Sequence, residues 1–266
     1  MPRTISSGSV IDTPVAFVRG VAASFASALT AKPADPPLSV ELAAAQHAGY
    51  VAALDAGGYT VVRVEPDDAL PDCCFIEDTA VVLGEQGLMT RPGHAARRGE
   101  GDYVAALLAE YVPLHHVRDP ATVDGGDVLS MGSQVFVGLS RRTNAAGVAA
   151  IAAIAEPQGM TVTPVTVGSV LHLKSGLSAL DESTVLWHPR ACERDDLKGL
   201  QVVEVAGNDP ESANVVRLAD GRILVADHHR GTRDIVDALG FETVTADVAE
   251  FARADGGLTC LSIRIR

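Results

Sequence analysis

The stretch GDVLSMGSQVFVGLS, residues 126–140, contains two short apolar runs separated by a glycine-containing turn. Two such runs joined by a short turn predict a β-hairpin. The Ala-rich stretch AAGVAAIAAIAEPQG, residues 145–159, has apolar residues three and four apart and ends on glycine, which predicts a helix. A third strand is predicted for MTVTPVTV, residues 160–167. Residues 126–167 are therefore expected to form one ββαβ unit.

The same pattern recurs along the chain, which predicts a repeat architecture. The first elements of the other four units are PVAFVRG (residues 14–20), DTAVVLGEQGLMTRPG (78–93), SGLSALDESTVLWHP (175–189) and ANVVRLADGRILVADH (213–228). The fourth unit offers only CERDDLKG, residues 192–199, as a short helix candidate. The final stretch LTCLSIRIR, residues 258–266, is predicted to close back onto the first unit as a strand. Five units in a ring predict an α/β propeller that forms a single domain over residues 1–266 and leaves no exposed sheet edge at the closure.

The charge of the chain bears on its partners. The 266 residues carry a formal net charge of -13, with no basic stripe, which argues against nucleic acid as a partner. An acidic protein attracts small cations, although the same charge is also what keeps many proteins soluble. No run reaches transmembrane length, so no membrane partner is expected. The sequence leaves a monomer and a homodimer both open.

The cysteines predict a reduced, cytoplasmic protein. Cys73, Cys74, Cys192 and Cys260 form neither a disulfide framework nor a C-x-x-C pair that would indicate zinc. The stretch VAASFASALTA, residues 21–31, resembles a signal peptide weakly, but it is only mildly apolar and follows a predicted strand. We therefore expect no targeting segment there.

Ionisable residues stand immediately before the first apolar run of several units. Because equivalent ends of the units in a ring point at one axis, we expect these residues to gather in one place. They are Glu77, Asp78, Asp124, Asp127, His172 and Cys260.

Such a cluster suits a thiol nucleophile. A thiolate is activated by a neighbouring histidine that a carboxylate orients, and Cys260, His172 and either Asp124 or Asp127 supply these types from different units. Taken singly the signals are weak, since a lone cysteine in a strand is more often a small buried hydrophobe. A histidine between two leucines is likewise more often a satisfied core residue.

The additional carboxylates indicate the substrate class. An acyl-transfer site needs an oxyanion hole and disfavours added negative charge, whereas Glu77 and Asp78 would hold a planar, cationic guanidinium while the thiolate attacks its central carbon. The alternative interpretation of FIEDTAVV, residues 75–82, is a capped and solvated strand start.

Six motifs together resemble the dimethylarginine dimethylaminohydrolases of the guanidino-group modifying, or pentein, superfamily. The resemblance covers Val15 to Ile265 and implies a five-bladed α/β propeller of ββαβ units with pseudo-fivefold symmetry. It also implies hydrolysis of Nω-methylated L-arginines to L-citrulline without a metal or organic cofactor. The motifs, in the order found in that family, are LPDCCFIEDTAVV (70–82), TRPG (90–93) followed by Arg97-Arg98, TVDGGDVL (122–129), FVGLSRRTN (136–144), LHLKS (171–175) and DGGLTC (255–260).

The resemblance implies a role for each matched residue. Cys260 would be the nucleophile, His172 the general acid and base, and Asp124 the residue that orients the histidine. Asp78, supported by Glu77, would bind the guanidinium. The remaining substrate contacts would be Arg97 and Arg142 to the α-carboxylate, Asp72 with the carbonyls of Leu29 and Ala254 to the α-amino group, Phe75 against the side chain, and Asp255 as a further polar contact.

Two of these residue assignments depend on how the sequence aligns with the family. Leu29 would lie on a mobile lid in VAASFASALTAKP, residues 21–33, which matches the family least well. Arg98 could replace Arg97 if the register shifts by one residue. Each arginine could also simply be exposed, but an acidic pocket that takes an amino acid needs cations at its far end.

Three other functions compete with this one. Arginine deiminases and amidinotransferases of the same superfamily share the chemistry, but those resembling this chain are usually longer. A thiol hydrolase that acts on amides would need an oxyanion hole and no Glu77 or Asp78. A non-catalytic propeller that binds partners at its mouth would keep its function when Cys260 is replaced.

Overall fold

In the computed structural model, which describes residues 13–265, the β-strands form five separate three-stranded sheets. The strands in chain order are β1 (Val15–Arg19), β2 (Thr60–Val64), β3 (Ala80–Leu83), β4 (Gln86–Met89), β5 (Leu114–His116), β6 (Val128–Met131), β7 (Gln134–Leu139), β8 (Thr161–Thr166), β9 (Leu177–Ala179), β10 (Thr184–Trp187), β11 (Gln201–Glu204), β12 (Val216–Arg217), β13 (Ile223–Ala226), β14 (Thr243–Ala246) and β15 (Ile263–Ile265). The helices are α1 (Val40–Ala56), α2 (Asp102–Leu108), α3 (Ala145–Ala155), α4 (Arg230–Ala238) and α5 (Ala249–Ala252).

All five sheets share one pattern. The first strand of each sheet pairs antiparallel with the middle strand, and the middle strand pairs parallel with the last, as in β6–β7–β8. In four of the sheets the antiparallel pair is a hairpin of consecutive strands, and in the first sheet it joins the two ends of the chain. The parallel pair requires a crossover, which α1, α2, α3 and α4 supply in four of the units. The repeated ββαβ unit predicted from the sequence is confirmed.

The chain closes on itself as predicted. Strand β15 pairs antiparallel with β1, with Val15 opposite Ile265 and Phe17 opposite Ile263. The C-terminal strand thus supplies the first strand of the first sheet, and the β1 edge is paired instead of exposed.

Helix α1 shows how the sequence fixes an outer helix. The Ser39 hydroxyl accepts a hydrogen bond from the Leu42 N–H at 3.1 Å and caps its start, and Gly57 follows its last residue. Its inner face buries Tyr50 and Leu54 completely in the core formed with the first and fifth units. Burial of each such side chain contributes about 2 kcal/mol relative to exposure.

Two predicted elements differ from the structure. The stretch CERDDLKG in the fourth unit forms only the 3-10 turn Arg194–Leu197, since a segment this short cannot offset the cost of nucleating an α-helix. The last strand begins at Ile263, later than predicted. Before it, Thr259 donates its N–H to Asn214 Oδ1 at 3.1 Å and Cys260 donates to the Gly257 carbonyl at 3.2 Å, so these N–H groups are not available to a sheet.

The first strands of the five sheets surround a common cavity of about 660 Å³ on the axis of the ring. The cavity is lined by β3, β6, β9, β12 and β15 and by charged side chains that include Glu77, Lys174 and Arg264. No helix within residues 13–265 is both long and apolar enough to cross a bilayer.

Candidate active site

Five 3-10 turns form a ring at one end of the axis. In each sheet, at most two residues lie between one such turn and the first strand. The turns are Ile76–Thr79, Gly125–Asp127, Leu173–Ser175, Pro210–Ala213 and Thr259–Leu261. Four of them contain or directly follow a residue of the predicted cluster. The residues that the sequence predicted to gather in one place therefore lie in or next to these turns.

Glycines allow these turns to approach one another closely. A Cβ on Gly125 would lie 2.0 Å from the Glu77 carbonyl oxygen, and one on Gly126 would lie 2.7 Å from His172 Nδ1. In the last turn, a Cβ on Gly256 would lie 2.3 Å from the Phe75 ring. The Gly-Gly pairs of the DGGD and DGGLTC motifs are thus needed for the backbone to reach the site.

His172 and Asp124 form a buried pair. His172 Nε2 lies 2.9 Å from Asp124 Oδ2, and the other oxygen of Asp124 accepts the Gly93 N–H at 2.8 Å. Arg142 Nη1 donates to Asp124 Oδ2 at 3.2 Å. These contacts fix both the carboxylate and the imidazole that it faces.

The residue types alone left open whether Asp124 or Asp127 faces the histidine, and the family resemblance implied Asp124. The structure places Asp124 there. Asp127 instead accepts the Ser140 hydroxyl at 2.6 Å and the Leu173 N–H at 2.9 Å. Because Leu173 follows His172, Asp127 holds the backbone of the turn from which the imidazole projects.

Asp78 is held in place from two sides. Its Oδ1 accepts the Gly126 N–H at 2.8 Å and lies 4.0 Å from His172 Nε2, and its Oδ2 pairs with Arg97 Nη1 at 2.6 Å. Burial alone would raise the pKa of Asp78, but the positive charges of His172 and Arg97 and the Gly126 hydrogen bond hold it well below its usual range. Asp78 is therefore ionised at neutral pH.

Arg97 contacts Asp78 and two further groups. Its guanidinium also donates to Glu100 Oε2 at 2.6 Å and to the Phe75 carbonyl at 3.0 Å, so all three of its nitrogens are engaged. Arg98 is exposed, with its Nε donating to the Pro92 carbonyl at 3.2 Å. The assignment of the α-carboxylate to Arg97 stays a prediction, and in this structure Arg97 positions Asp78.

The surroundings of His172 favour its protonated form. Burial lowers the pKa of His172, but the carboxylates of Asp78, Asp124 and Asp127 outweigh burial and raise it to about 9. The imidazolium is thus the main form at neutral pH, and it can act as an acid.

The Cys260 thiol lies in the last turn, where its Sγ accepts the Gly257 N–H at 3.4 Å. Although the residue keeps part of its surface exposed, the dense packing around its sulfur is the largest cause that raises the thiol pKa to about 12. The negative charges of Glu77 and Asp78 add to this effect. In the empty site the thiol is therefore protonated.

We expect alkylation of Cys260 by iodoacetamide to be slow at pH 7 and to accelerate about tenfold for each pH unit up to pH 9, because a pKa of about 12 leaves on the order of 10⁻⁵ of the thiol ionised at pH 7. The rate is followed by mass spectrometry of the C-terminal peptide. The buried Cys192, whose pKa burial raises to about 11, is the internal reference. A Cys260 rate that levels off below pH 8 would contradict this assignment.

Glu77 faces both the site and the axial cavity. Its Oε1 accepts the Lys174 ammonium at 2.6 Å and lies 4.0 Å from Arg264 Nη2. Its Oε2 is buried and has no hydrogen-bond partner within residues 13–265. One carboxylate oxygen of Glu77 is thus satisfied by protein and the other is open to a donor.

Backbone N–H groups of the segment predicted to be a lid donate to two carboxylates. The Leu29 N–H donates to Asp72 at 3.1 Å, and the Ala31 N–H donates to Asp255 Oδ2. Asp255 is the one non-glycine residue within residues 13–265 with a positive φ, at 57°. Burial raises the pKa of Asp72. The predicted lid segment thus contacts both Asp72 and Asp255, and the assignment of Asp72 and the carbonyls of Leu29 and Ala254 to the α-amino group stays a prediction.

The two remaining predicted residues are buried beside this place. Phe75 packs its ring 6.2 Å from the rings of both Phe25 and Phe251, and Ala254 is buried next to Asp255. Phe75 therefore belongs to an aromatic cluster with Phe251 and with Phe25 of the predicted lid segment, and its contact with the substrate side chain stays a prediction.

Three side chains could hold a metal ion on geometry alone. Asp78, Asp124 and His172 each present one possible ligand atom within 4.8 Å of the others. The same atoms already accept or share the hydrogen bonds described above, and the high pKa of His172 opposes metal binding, which requires neutral imidazole. The expectation of a metal-free site stays a prediction.

The sequence analysis missed Lys174 and Asn214. Lys174 holds Glu77, and Asn214 ties the Cys260 turn to the His172 turn. Lys174 stands in the LHLKS motif, two residues after His172, and DPESAN, residues 209–214, precedes a first strand like the other turns. Position before a first strand was therefore the signal that could have identified them.

Comparison with known proteins agrees with this geometry. The arginine deiminase family model matches residues 67–210. The N(G),N(G)-dimethylarginine dimethylaminohydrolase of Streptomyces coelicolor is 41% identical over 228 residues, which cover 85% of this chain and 86% of that protein.

The chain belongs to the dimethylarginine dimethylaminohydrolase family.

Two solved structures support membership of the dimethylarginine dimethylaminohydrolase family. A cysteine-to-serine variant of the enzyme from Pseudomonas aeruginosa, in complex with citrulline, has a TM-score of 0.90 and 27% identity and covers 95% of this chain and 99% of that chain. A histidine-to-glycine variant of a dimethylarginine dimethylaminohydrolase, as an adduct with S-methyl-L-thiocitrulline, has the same TM-score and identity and covers 95% of this chain and 100% of that chain. The five-bladed pentein propeller implied by the sequence motifs is confirmed.

Proposed function

We propose that the protein hydrolyses Nω-methylated L-arginines, such as asymmetric dimethylarginine and monomethylarginine, to L-citrulline and dimethylamine or methylamine. The observation that carries the proposal is the buried arrangement of ionised Asp78 beside the His172–Asp124 pair, with Asp78 and Glu77 in electrostatic contact with the Cys260 thiol. Carboxylates around a thiol favour a cationic electrophile, which is the character of a guanidinium.

The reaction begins with ionisation of the thiol. When a guanidinium enters between Cys260 and the carboxylates of Asp78 and Glu77, its positive charge offsets the charges that raise the thiol pKa. The thiol then releases its proton to solvent, and the thiolate adds to the guanidinium carbon.

His172 moves the remaining protons. The adduct collapses as the imidazolium of His172 protonates the departing methylated amine, which leaves a covalent alkylthiouronium on Cys260 and a neutral imidazole. The imidazole then takes a proton from water as that water attacks the same carbon. Citrulline forms as the carbon–sulfur bond breaks, and the hydroxyl proton of the adduct passes to the departing Cys260 sulfur. Asp124 keeps the imidazole oriented through both steps.

The direct test is product analysis. The protein is incubated with asymmetric dimethylarginine and, separately, with L-arginine, and citrulline, dimethylamine and ammonia are measured. We expect citrulline and dimethylamine in equal amounts from the first substrate and at least about tenfold slower turnover of the second. Citrulline and ammonia from arginine alone would make the protein a deiminase with the same site, and no citrulline from either would reject the proposal.

The proposal also covers the location, domain organisation and assembly of the enzyme. We place it in the cytoplasm, because its cysteines are unpaired. Residues 1–266 would act as one catalytic domain, whose first twelve residues and Arg266 lie outside the described residues. Its substrate is a small cationic amino acid, and sedimentation would distinguish a monomer from a homodimer.

A further inference from the structure

The loop after β7 begins with a serine whose hydroxyl makes three hydrogen bonds. Ser140 directly follows β7, and its Oγ donates to Asp127 Oδ2 at 2.6 Å. The same oxygen accepts the N–H groups of Arg142 at 2.9 Å and Thr143 at 3.1 Å. Because a hydroxyl has one donor and two acceptor positions, all of its capacity is used. The Ser140 N–H also donates to the Thr143 carbonyl at 3.0 Å, which closes a tight turn.

One side of this hydroxyl leads to the turn that carries His172. Asp127, which accepts the Ser140 hydroxyl, is fully buried, and its Oδ1 accepts the Leu173 N–H at 2.9 Å. A Cβ on Gly138 of β7 would lie 2.9 Å from Asp127 Oδ1 and 3.1 Å from Leu173 Cβ. Glycine at this position therefore lets the strand, the carboxylate and the turn pack in direct contact.

The other side of the hydroxyl leads to the carboxylate that faces His172. The Thr143 hydroxyl accepts the Asp124 N–H at 3.1 Å, and Arg142 Nη1 donates to Asp124 Oδ2 at 3.2 Å. Arg142 and Thr143 are the two residues whose N–H groups the Ser140 oxygen accepts. Ser140 is therefore connected both to the backbone beside His172 and to the backbone and carboxylate of Asp124.

These contacts form a closed loop of hydrogen bonds around the catalytic pair. From Ser140 the loop passes through Asp127 to the turn of His172. It crosses from His172 Nε2 to Asp124 Oδ2 at 2.9 Å. From Asp124 it returns through Thr143 to Ser140. Because the imidazole and the carboxylate stand 48 residues apart in the chain, their separation depends on groups that are bonded to both segments.

We propose that Ser140 is a positioning residue for the hydrolysis, whose hydroxyl holds the His172 turn and the Asp124 segment at the separation in which the imidazole and the carboxylate are hydrogen-bonded. The inference rests on the proposed function. Ser140 acts through Asp127 and through its own turn. A displacement of a catalytic group by about 1 Å can lower a rate on the order of 10²-fold, so loss of the hydroxyl should slow the chemical steps.

The hydroxyl also supports the charge that acts on His172. Burial raises the pKa of Asp127, and the hydrogen bond from Ser140 opposes this by favouring the ionised carboxylate. Burial lowers the pKa of His172, but Asp127 is one of the carboxylates that together raise it to about 9. Without the hydroxyl the negative charge near the imidazole weakens, so the pKa of His172 should fall. The charged groups around His172 are Asp78, Asp124 and Asp127, with Arg97 bonded to Asp78 and Arg142 bonded to Asp124.

The first test is an NMR titration of the His172 imidazole in Ser140→Ala, which needs no substrate. The ring signal of His172 is assigned by its loss in His172→Gln. We expect the pKa of His172 to fall by about half a pH unit or more from the parent value of about 9. Ser133→Ala, in the exposed turn between β6 and β7, is the matched control and should leave the titration unchanged.

The second test is steady-state kinetics with asymmetric dimethylarginine, with each rate referred to the folded fraction of the variant. We expect Ser140→Ala to lower kcat about 30-fold and to change KM less than about threefold, because the hydroxyl orients the catalytic pair and not the substrate. Ser140→Thr keeps the hydroxyl and should retain kcat within about fivefold of the parent. A purely structural role would lower the melting temperature and leave the kcat of the folded fraction and the pKa of His172 unchanged.

The two tests separate the possible failures. An unshifted His172 pKa in Ser140→Ala overturns the inference, as does a loss confined to KM or a Ser140→Thr variant as slow as Ser140→Ala. If Ser140→Ala does not fold, Thr143→Val, which removes another link of the same loop, must show the fall in the His172 pKa for the inference to stand. If the parent protein releases no citrulline from dimethylarginine, the proposed function fails, while the NMR titration still decides whether Ser140 positions His172.

Discussion

Replacing Cys260 with serine is expected to lower turnover of asymmetric dimethylarginine by on the order of 10⁴-fold or more, as for other covalent catalysts that lose their nucleophile. Burial, followed by the charges of Glu77 and Asp78, raises the pKa of even a thiol at this position to about 12. A hydroxyl is a far weaker acid, so a bound guanidinium cannot ionise it to a useful extent.

The Cys260→Ser substitution should lower turnover because it removes the nucleophile, and it should leave the fold intact. Serine keeps the size of the side chain in a partly exposed turn, so the melting temperature should stay within about 3 °C of the parent. Substrate should still bind, as calorimetry would show. Cys192→Ser, in the separate core around Trp187, is the matched control and should keep turnover. Turnover within tenfold of the parent for Cys260→Ser would remove Cys260 from the mechanism.

Replacing Asp78 with asparagine is expected to reduce both activity and stability. The substitution removes the anion that pairs with Arg97 at 2.6 Å and that lies 4.0 Å from His172 Nε2. Loss of one member of a buried ion pair leaves an uncompensated charge and costs about 3 kcal/mol of unfolding free energy. Loss of the guanidinium partner should lower kcat/KM by on the order of 10³-fold, which is about 4 kcal/mol.

The same substitution should change the pH profile. Asp78 is the largest of the charges that raise the pKa of His172, so without it the imidazolium loses its proton at lower pH than the parent value of about 9. The alkaline limb of kcat should therefore move to lower pH. Asp119→Asn removes an ion pair with Arg91 in which the Asp119 side chain is 79% exposed, and it should cost less than about 1 kcal/mol. An unchanged alkaline limb in Asp78→Asn would disprove the proposed coupling to His172.

The site shows which predictions a sequence supports. The residue types of the cluster and their position before first strands were visible in the sequence, and Asp78, Asp124 and His172 do meet. The residue types alone did not distinguish Asp124 from Asp127, since the two lie three residues apart and both are buried, and only the family resemblance implied Asp124. Ser140 and Leu173, which engage Asp127, are distant in the chain.

Arg97 illustrates the same limit. Its place in the family motif predicts a contact with substrate, while the structure shows Glu100, three residues on, and Asp78 around its guanidinium. Asn214 stands before a first strand, but its contacts with Lys174 and Thr259 arise only when the fifth turn packs between the segments that carry His172 and Cys260.

The sequence by itself determined the five ββαβ units, the closure by the C-terminal strand and the chemical types at the mouth of the ring. These follow from periodicity, turns and short motifs, which are local properties of the chain. Only the tertiary structure showed that Asp127 holds the backbone of the His172 turn, that Arg97 pairs with Asp78 and Glu100, and that Asn214 ties the Cys260 turn to the His172 turn. Hydrogen-bond partners and pKa values depend on atoms within a few ångströms, and here those atoms come from turns tens of residues apart in the sequence.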